Sequence, residues 1–491
     1  MILSLLILIP ITGAILIAFV PREQENVVKW LALGTTAVAL VVSLPLYFGF
    51  VDNASGYQFE EFRPWIPPLN IAYHVGIDGL SLFLILLTTF LTLISVLSSW
   101  TAITDGLKGY MALMLLLEAA VIGVFVSLDL FLFYLFWEAS LIPMALLIGK
   151  WGGSRRVYAA VKFIIYTMAG STLMLVGALV LYVNGGTSDL PTLVNNLELS
   201  QNLQIILFFA FALAFSVKVP LFPLHTWLPT AHVEAPTAGS IMLAGVLLKM
   251  GTYSYLRFAI PLFPDALAYW SPLLVTLAIV GILYGALVAL VQDDVKKLVA
   301  YSSVAHMGFI VLGTFSGGQQ GMSGAVLQMI NHGLSTGMLF FLIGVLYEQR
   351  HTRLFSEYGG LWVKVPVFGT YFLLAVFSSV GLPGLNGFVG EFVILLGTFK
   401  VNPIAAALGT FGIVLAAWYL LTATRKMMMG PFNEANKNLK DMNLRESGIA
   451  FALIALCFVI GFFPNLLFDK INPATVELAE IIKATALLAG Q

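Results

Sequence analysis

FSVKVPLFPLHTWLP, residues 215–229, is the stretch on which the fold turns. It completes an apolar run that begins near residue 202, and about 20 such residues make a membrane-spanning helix. Yet it carries a lysine, Lys218, followed at once by Pro220 and Pro223. Proline removes a backbone donor and interrupts the helical ladder. In hydrocarbon the freed carbonyls need protein or water partners, so a broken span lines a cavity rather than facing lipid. A second stretch, FSSVGLPGLNGFVGEF at 377–392, repeats the arrangement. Here Gly381, Pro383, Gly384 and Gly387 stand shortly before Glu391.

The composition around these breaks is that of a membrane protein. Hydrophobic residues make up 59% of the 491, and charged residues only 10%. Soluble domains carry about 45–50% apolar and about 25% charged residues. The net charge of -1 gives no reason to expect nucleic acid. A single cysteine, Cys457, excludes a disulfide framework, a cysteine-held iron–sulfur cluster and a multi-cysteine zinc site within the chain. No cofactor and no metal are expected on it.

The reading is an all-α polytopic membrane protein with about 14 transmembrane helices. The apolar runs are continuous rather than alternating, which excludes a barrel. The first run lacks a basic leader and a cleavage site, so it reads as a retained helix. Basic residues test the count, because they gather on the cytoplasmic side. With the N-terminus outside, seventeen lysines and arginines fall at cytoplasmic ends and five outside. Lys218 and Lys249 remain, both mid-span, which accounts for all 24. Both termini are then expected on the outer side. The loop 51–77 is expected to pack over the outer surface, and 473–489 to form a short amphipathic helix at the outer interface.

Four segments follow: three N-terminal helices in 1–108, a five-helix set in 109–259, a second set in 268–429, and a last helix with a tail in 447–491. Five is odd, so the second set is inverted relative to the first. Each break falls in the fourth helix of its set, making helices 7 and 12 the broken pair. Paired broken helices in an inverted repeat are a transporter signature.

Intramembrane titratable residues mark ion or proton routes. Here they are Glu138, Lys218, Lys249, His306, His332 and Glu391, with Glu118 and His225 in supporting places. Burial favours a neutral amine and a nearby carboxylate favours the ammonium, so a lysine with a movable glutamate is a protonatable switch. A quinone- or haem-binding reading, with His306 and His332 as axial ligands, fits poorly with their Ser, Asn and Gly surroundings.

GIDGLSLFLILLTTFLTLISVLSSW, LFWEASLIPMALLIGKWGG, KVPLFPLHTWLPTAHVEAPTAGSIMLAGVLLKMG, VKKLVAYSSVAHMG and GLPGLNGFVGEF resemble the antiporter-like subunits of respiratory complex I, the NADH-quinone oxidoreductase. The likeness is strongest to the branch called subunit M, or chain 4, and covers nearly the whole chain. The resemblance implies a proton-translocating subunit of an oxidoreductase with no redox centre of its own. FMN, iron–sulfur clusters and quinone would sit on partner subunits. It implies that Glu138 partners Lys218, that Lys249 lies near the middle of the proton path, that His306 and His332 link two half-channels, and that Glu391 ends the path. Partners would be the other membrane subunits of complex I, neighbouring antiporter-like subunits above all, together with lipids. The membrane would be a bacterial plasma membrane, with a mitochondrial inner or thylakoid membrane as the alternative. The large subunit of a multi-subunit Mrp-type Na+/H+ antiporter shares the same Glu and Lys pattern, as does a ferredoxin- or hydrogenase-linked relative of complex I.

Overall fold

A computed structural model describes residues 1–489 apart from Asn53 and Ser55, with side chains through Lys483. The expected last segment, 447–491, thus ends on two residues outside the described ones. Six long helices come first: α1 (Ile2–Phe19), α2 (Glu25–Phe48), α3 (Leu82–Ser98), α4 (Leu107–Val126), α5 (Leu130–Trp151) and α6 (Arg156–Gly185). A short α7 (Leu190–Asn196) leads to α8 (Gln201–Lys218) and α9 (Trp227–Glu234). Then come α10 (Thr237–Met242), α11 (Leu248–Ser254) and α12 (Ile260–Leu262), joined by π turns at Leu243–Leu247 and Tyr255–Ala259. The remainder is α13 (Leu267–Leu290), α14 (Val295–Thr314), α15 (Gln319–Arg350), α16 (Pro366–Val380), α17 (Asn386–Val401), α18 (Pro403–Met428), α19 (Leu444–Phe462) and α20 (Asn465–Ala489).

Among the described residues, eleven helices are long and apolar enough to cross a membrane. Three further stretches expected to span lie outside that count: 78–100 holds the 17-residue α3, 236–259 is a helix with two π turns, and 367–399 divides into α16 and α17, where the sequence expected a broken helix. Helix α15 is the spine: its apolar window is wholly buried, and α3, α10, α14, α16, α17, α19 and α20 pack on it. A helix hidden from lipid on all sides can carry Gln328, Asn331 and His332 without presenting them to hydrocarbon.

Both breaks close in the same way. Pro220 has no N–H to give Ser216, and Leu221 N donates to that carbonyl instead, at 2.8 Å. The neighbouring Val217 carbonyl accepts the indole N–H of Trp227 at 2.9 Å. At the second break Leu382 N donates to Phe377 O at 3.0 Å, and Gly381 turns the chain with φ +84. These bonds answer the demand that no backbone group go unpaired in lipid. Gly387 lies in the first turn of α17 rather than in the break itself. A Cβ there would meet Ser378 O at 2.0 Å, so only glycine lets α17 start against the end of α16.

Two features outside the long helices add to the expectation. The loop 51–77 holds an antiparallel hairpin, β1 (Gln58–Ile66) and β2 (Ile71–Ile77), turned through Pro67–Leu69 and a left-handed Asn70. Its prolines hide the strand signal, but pairing satisfies backbone groups that a bare loop would leave to water. β2 is mostly buried against α4 and α5, while β1 is largely exposed. The C-terminal helix begins at Asn465, not 473, and runs through Pro473. It buries Leu467, Ile471, Ala474 and Leu478, and its Asn472 and Thr475 hydrogen-bond Ser323 of α15. One face of it is therefore packed against the bundle.

Candidate functional site

Four of the residues picked out by sequence form one connected series. Lys249 stands just past the first π turn, whose widened ladder re-aims side chains and loosens carbonyls. Its Nζ donates to the Ala244 carbonyl within that turn and lies 2.7 Å from His332 Nδ1. The rings of His332 and His306 follow, with centroids 5.9 Å apart. His306 Nδ1 lies 2.9 Å from Glu391 Oε1. Gln328 donates to the same oxygen at 3.1 Å, and Tyr419 Oη approaches His306 Nε2 at 3.5 Å. Every member is buried. Gly390 makes this approach possible, since a Cβ there would meet Gln328 Oε1 at 2.1 Å. Helices α11, α14, α15 and α17 each supply one member, so the series crosses the middle of the bundle.

The other end is built differently. Lys218 is buried at the last residue of α8, and its Nζ has no hydrogen-bond partner. It lies over the rings of Trp137 at 5.2 Å and Phe163 at 5.9 Å. Glu138 is the carboxylate whose charge acts on it, but no ion pair joins them, and Glu138 Oε1 is also without a partner. The pairing expected from sequence is thus open in this structure. Ring faces supply what attraction the ammonium has.

Glu118 is fully buried with both carboxylate oxygens unpartnered. His225 sits in the first break between Phe222 and Tyr284, with centroids at 5.6 and 5.1 Å. Neither is hydrogen-bonded to the series. Asp129, near a span end, caps α5 through Phe131 N and Leu132 N and binds Ser188.

One residue escaped the sequence reading. His232 lies in α9, fully buried and stacked on Phe340 at 4.5 Å, with both ring nitrogens unpartnered. Lys249 and Lys296 are the cations whose charges act on it. It fell in the connection assigned between the seventh and eighth spans. The signal was the break itself: after Pro223 the half-helix WLPTAHVE resumes inside the bundle, as NGFVGEF does after Pro383.

On the opposite side, His74 of β2 is clamped between two carboxylates, Asp189 Oδ1 at 2.5 Å from Nδ1 and Glu60 Oε1 at 2.6 Å from Nε2. Burial alone would lower its pKa, but hydrogen bonds to Asp189 and Glu60 raise it above the ordinary value. The Asp189 carboxyl is held below its ordinary value: burial works against ionisation, and the bonds from His74 and Thr192 outweigh it. No group of three or more His, Cys, Asp or Glu residues suited to a metal occurs among the described residues.

Residues 127–416 match the family described as NADH:quinone oxidoreductase/Mrp antiporter, transmembrane. The NADH-quinone oxidoreductase subunit M of Rhodobacter capsulatus is 45% identical, over 97% of this chain and 96% of that one. A chain of respiratory complex I from Thermus thermophilus with bound NADH superposes with a TM-score of 0.90 at 33% identity, covering 98% of this chain and all of that one. A chain of the Mrp complex from Dietzia sp. DQ12-45-1b gives 0.87 at 20% identity over 99% and 98%, a likeness of fold alone.

Proposed function

This chain belongs to the NADH:quinone oxidoreductase/Mrp antiporter family of membrane subunits, and from that premise we propose that it carries protons along the buried Lys, His and Glu series. It is an antiporter-like, multi-pass membrane subunit of the M type in an NADH-quinone oxidoreductase, and the other subunits of that complex are its partners. The observation that carries the proposal is the linked series Lys249, His332, His306 and Glu391, on four helices inside a bundle that hides them from lipid.

The series supplies the parts of a proton relay. Lys249 is within hydrogen-bond distance of a ring nitrogen, so its proton can pass directly to His332. The span from His332 to His306 is that of one bridging water. His306 then hands the proton to Glu391. Lys218 sits upstream as the switch. A carboxylate drawn close favours its charged form, and apolar walls favour its neutral form. Movement of Glu138 toward Lys218 therefore loads a proton, and withdrawal drives it toward Lys249. Two inverted five-helix sets, 109–259 and 268–429, each contribute one half of the path.

The energy comes from partner subunits, which on this reading hold FMN, the iron–sulfur clusters and the quinone site, with other antiporter-like subunits as immediate neighbours. The lysine-rich face is the cytoplasmic side of a bacterial plasma membrane, and both termini lie on the outer side. The Mrp likeness is of fold alone and does not compete with 45% identity to a quinone-oxidoreductase subunit.

The test is to replace Lys218 by Met and Glu391 by Gln in the assembled complex. NADH oxidation by a soluble acceptor should persist, while proton pumping in sealed vesicles falls about tenfold or more. Full pumping in both variants would sink the proposal.

A further inference from the structure

The relay leaves Lys249 sideways, toward His332. On the helix of Lys249 a second line of polar groups runs another way, toward the hairpin. Tyr253 and Arg257 stand four and eight residues further on, which places the three along one face over about two turns. All three are buried. Arg257 lies in the second π turn. Its guanidinium is ion-paired with Asp78, in the turn between β2 and α3, and its Nε donates to Tyr253 Oη at 3.0 Å. The rings of Tyr57 and Tyr253 lie 5.0 and 5.4 Å from it. A small cavity of about 100 Å³ lies against the ion pair, lined also by Tyr57, Asn195 of α7 and Glu477 of α20. Gly79 lets α20 settle there, since a Cβ would meet Lys470 O at 2.0 Å.

A latch tying the start of α3 to this helix would account for the ion pair by itself. Yet a buried ion pair is weak evidence for stability, because apolar residues of similar size often hold as well. Nor does a latch account for the direction of the hydrogen bonds. Arg257 Nε donates to Tyr253 Oη, and Tyr253 Oη donates to the Phe125 carbonyl at 3.0 Å. A backbone carbonyl accepts but has no proton to pass on, so the chain of bonds ends there. A guanidinium only donates, and it keeps its proton at any ordinary pH. The Lys249–His332 link is the opposite case, for a lysine amine and an imidazole can each take a proton and give it up.

We propose that Arg257, held by Asp78 and Tyr253, is a proton barrier that seals the first five-helix set on the side away from the lysine-rich face. The proposal deepens the proton-relay reading and rests on it. A fixed positive charge in a narrow polar passage repels protons, as an arginine does in water-conducting pores. With that route shut, a proton on Lys249 leaves by His332. The approach to the hairpin, α7 and α20 meet around the ion pair, so the elements outside the long helices serve to hold the barrier in place.

The test uses the assembled complex in sealed vesicles without NADH. An imposed pH gradient then decays at a rate that reads passive proton conductance, with valinomycin and potassium clamping the membrane potential. Asp78→Asn with Arg257→Gln removes both charges, leaves no lone buried ion and keeps hydrogen-bonding groups in place. This neutral pair should speed the decay about threefold or more, and Arg257→Lys, which keeps the charge, should leave it at the unmodified rate. Adding Lys249→Met should return the neutral pair to the unmodified rate, because the leak runs through Lys249. A merely structural role would loosen the fold without that dependence. Arg257→Gln alone is the second variant should the pair not assemble. An unchanged decay in an assembled neutral variant overturns the barrier, and so does a leak that persists with Lys249→Met. Failure of both neutral variants to assemble also overturns it and assigns the ion pair to holding the fold. If the vesicles stay tight while Glu391→Gln stops pumping, the relay stands without the barrier. If Glu391→Gln and Lys218→Met pump fully, the relay itself has failed.

Discussion

The two broken helices share a backbone solution and differ in what they do with their charge. At the second break, Glu391 is hydrogen-bonded by His306 and Gln328, and Asn331 and Asn386 stitch the surrounding turn. At the first, Lys218 has aromatic rings and no hydrogen-bond partner, and no ion pair joins it to Glu138. A buried charge without a partner is expensive, whereas a satisfied one is held in place. The difference is that one centre is held by hydrogen bonds and the other is not; on the proposed relay the unsatisfied lysine is the group free to exchange its proton and the satisfied glutamate the one that receives it.

The largest expected effect breaks this contrast outright. Glu391→Leu leaves the His306 and Gln328 donors facing apolar carbon and should destabilise the chain by about 3–5 kcal/mol. Lys218→Met removes an unpartnered cation and should leave stability unchanged or raised. Thermal unfolding of the purified complex, followed by retention of this subunit, measures both. Equal losses would mean that Lys218 is as well satisfied as Glu391.

Gly390→Ala probes the receiving side alone. Its Cβ must displace the Gln328 side chain, an overpacking cost of about 1–3 kcal/mol, and pumping should fall with Glu391 still present. Infrared difference spectra of the Glu391 carboxyl should shift. An unmoved carboxyl band would mean that Gln328 does not tune it.

Trp227→Phe probes the first break. It takes the indole donor from the Val217 carbonyl one residue before Lys218, at a cost of about 1–3 kcal/mol. Hydrogen exchange should rise at the end of α8 and not at α16. A uniform rise would show that the two breaks are not independent.

The smallest effect lies outside both breaks and serves as their control. His74 has a raised pKa in the fold, so the stabilisation from its charge is present in full below the ordinary histidine value. It is lost as pH rises through the raised value. Asp189, with its pKa lowered, contributes above the ordinary carboxylate range and loses that contribution on acidification. The clamp includes the half-exposed Glu60 and should be worth of order 1 kcal/mol. Exchange protection of β2 should decline with rising alkalinity, and His74→Asn should flatten that profile without changing pumping.

Much of this was legible in the linear chain, and the parts that were not have definite causes. Glu138, Lys218, Lys249, His306, His332 and Glu391 stood out because charges and histidines are rare in apolar runs and costly there. Pro220, Pro223 and Pro383 marked the breaks because a ring nitrogen carries no hydrogen wherever it sits. His232 was missed because its helix is short and follows a proline, so length arguments ended the span too early. The hairpin was missed because prolines mask a strand. The helix over 473–489 was expected, but not its start at Asn465 or its packing on α15, because amphipathicity alone does not say which neighbour takes the apolar face.

By itself, then, the sequence determined a membrane bundle, its count of scarce intramembrane charges and the places where helices must break. Those follow from local chemistry: hydropathy over 20 residues, and backbone donors present or missing. Only the tertiary structure decided which charges meet. That Lys249 reaches His332 and His306 reaches Glu391, while Lys218 and Glu138 form no ion pair, depends on how four helices pack and on a glycine, Gly390, that lets two of them approach. Contacts between residues some 80 positions apart are set by packing, and no local pattern records them.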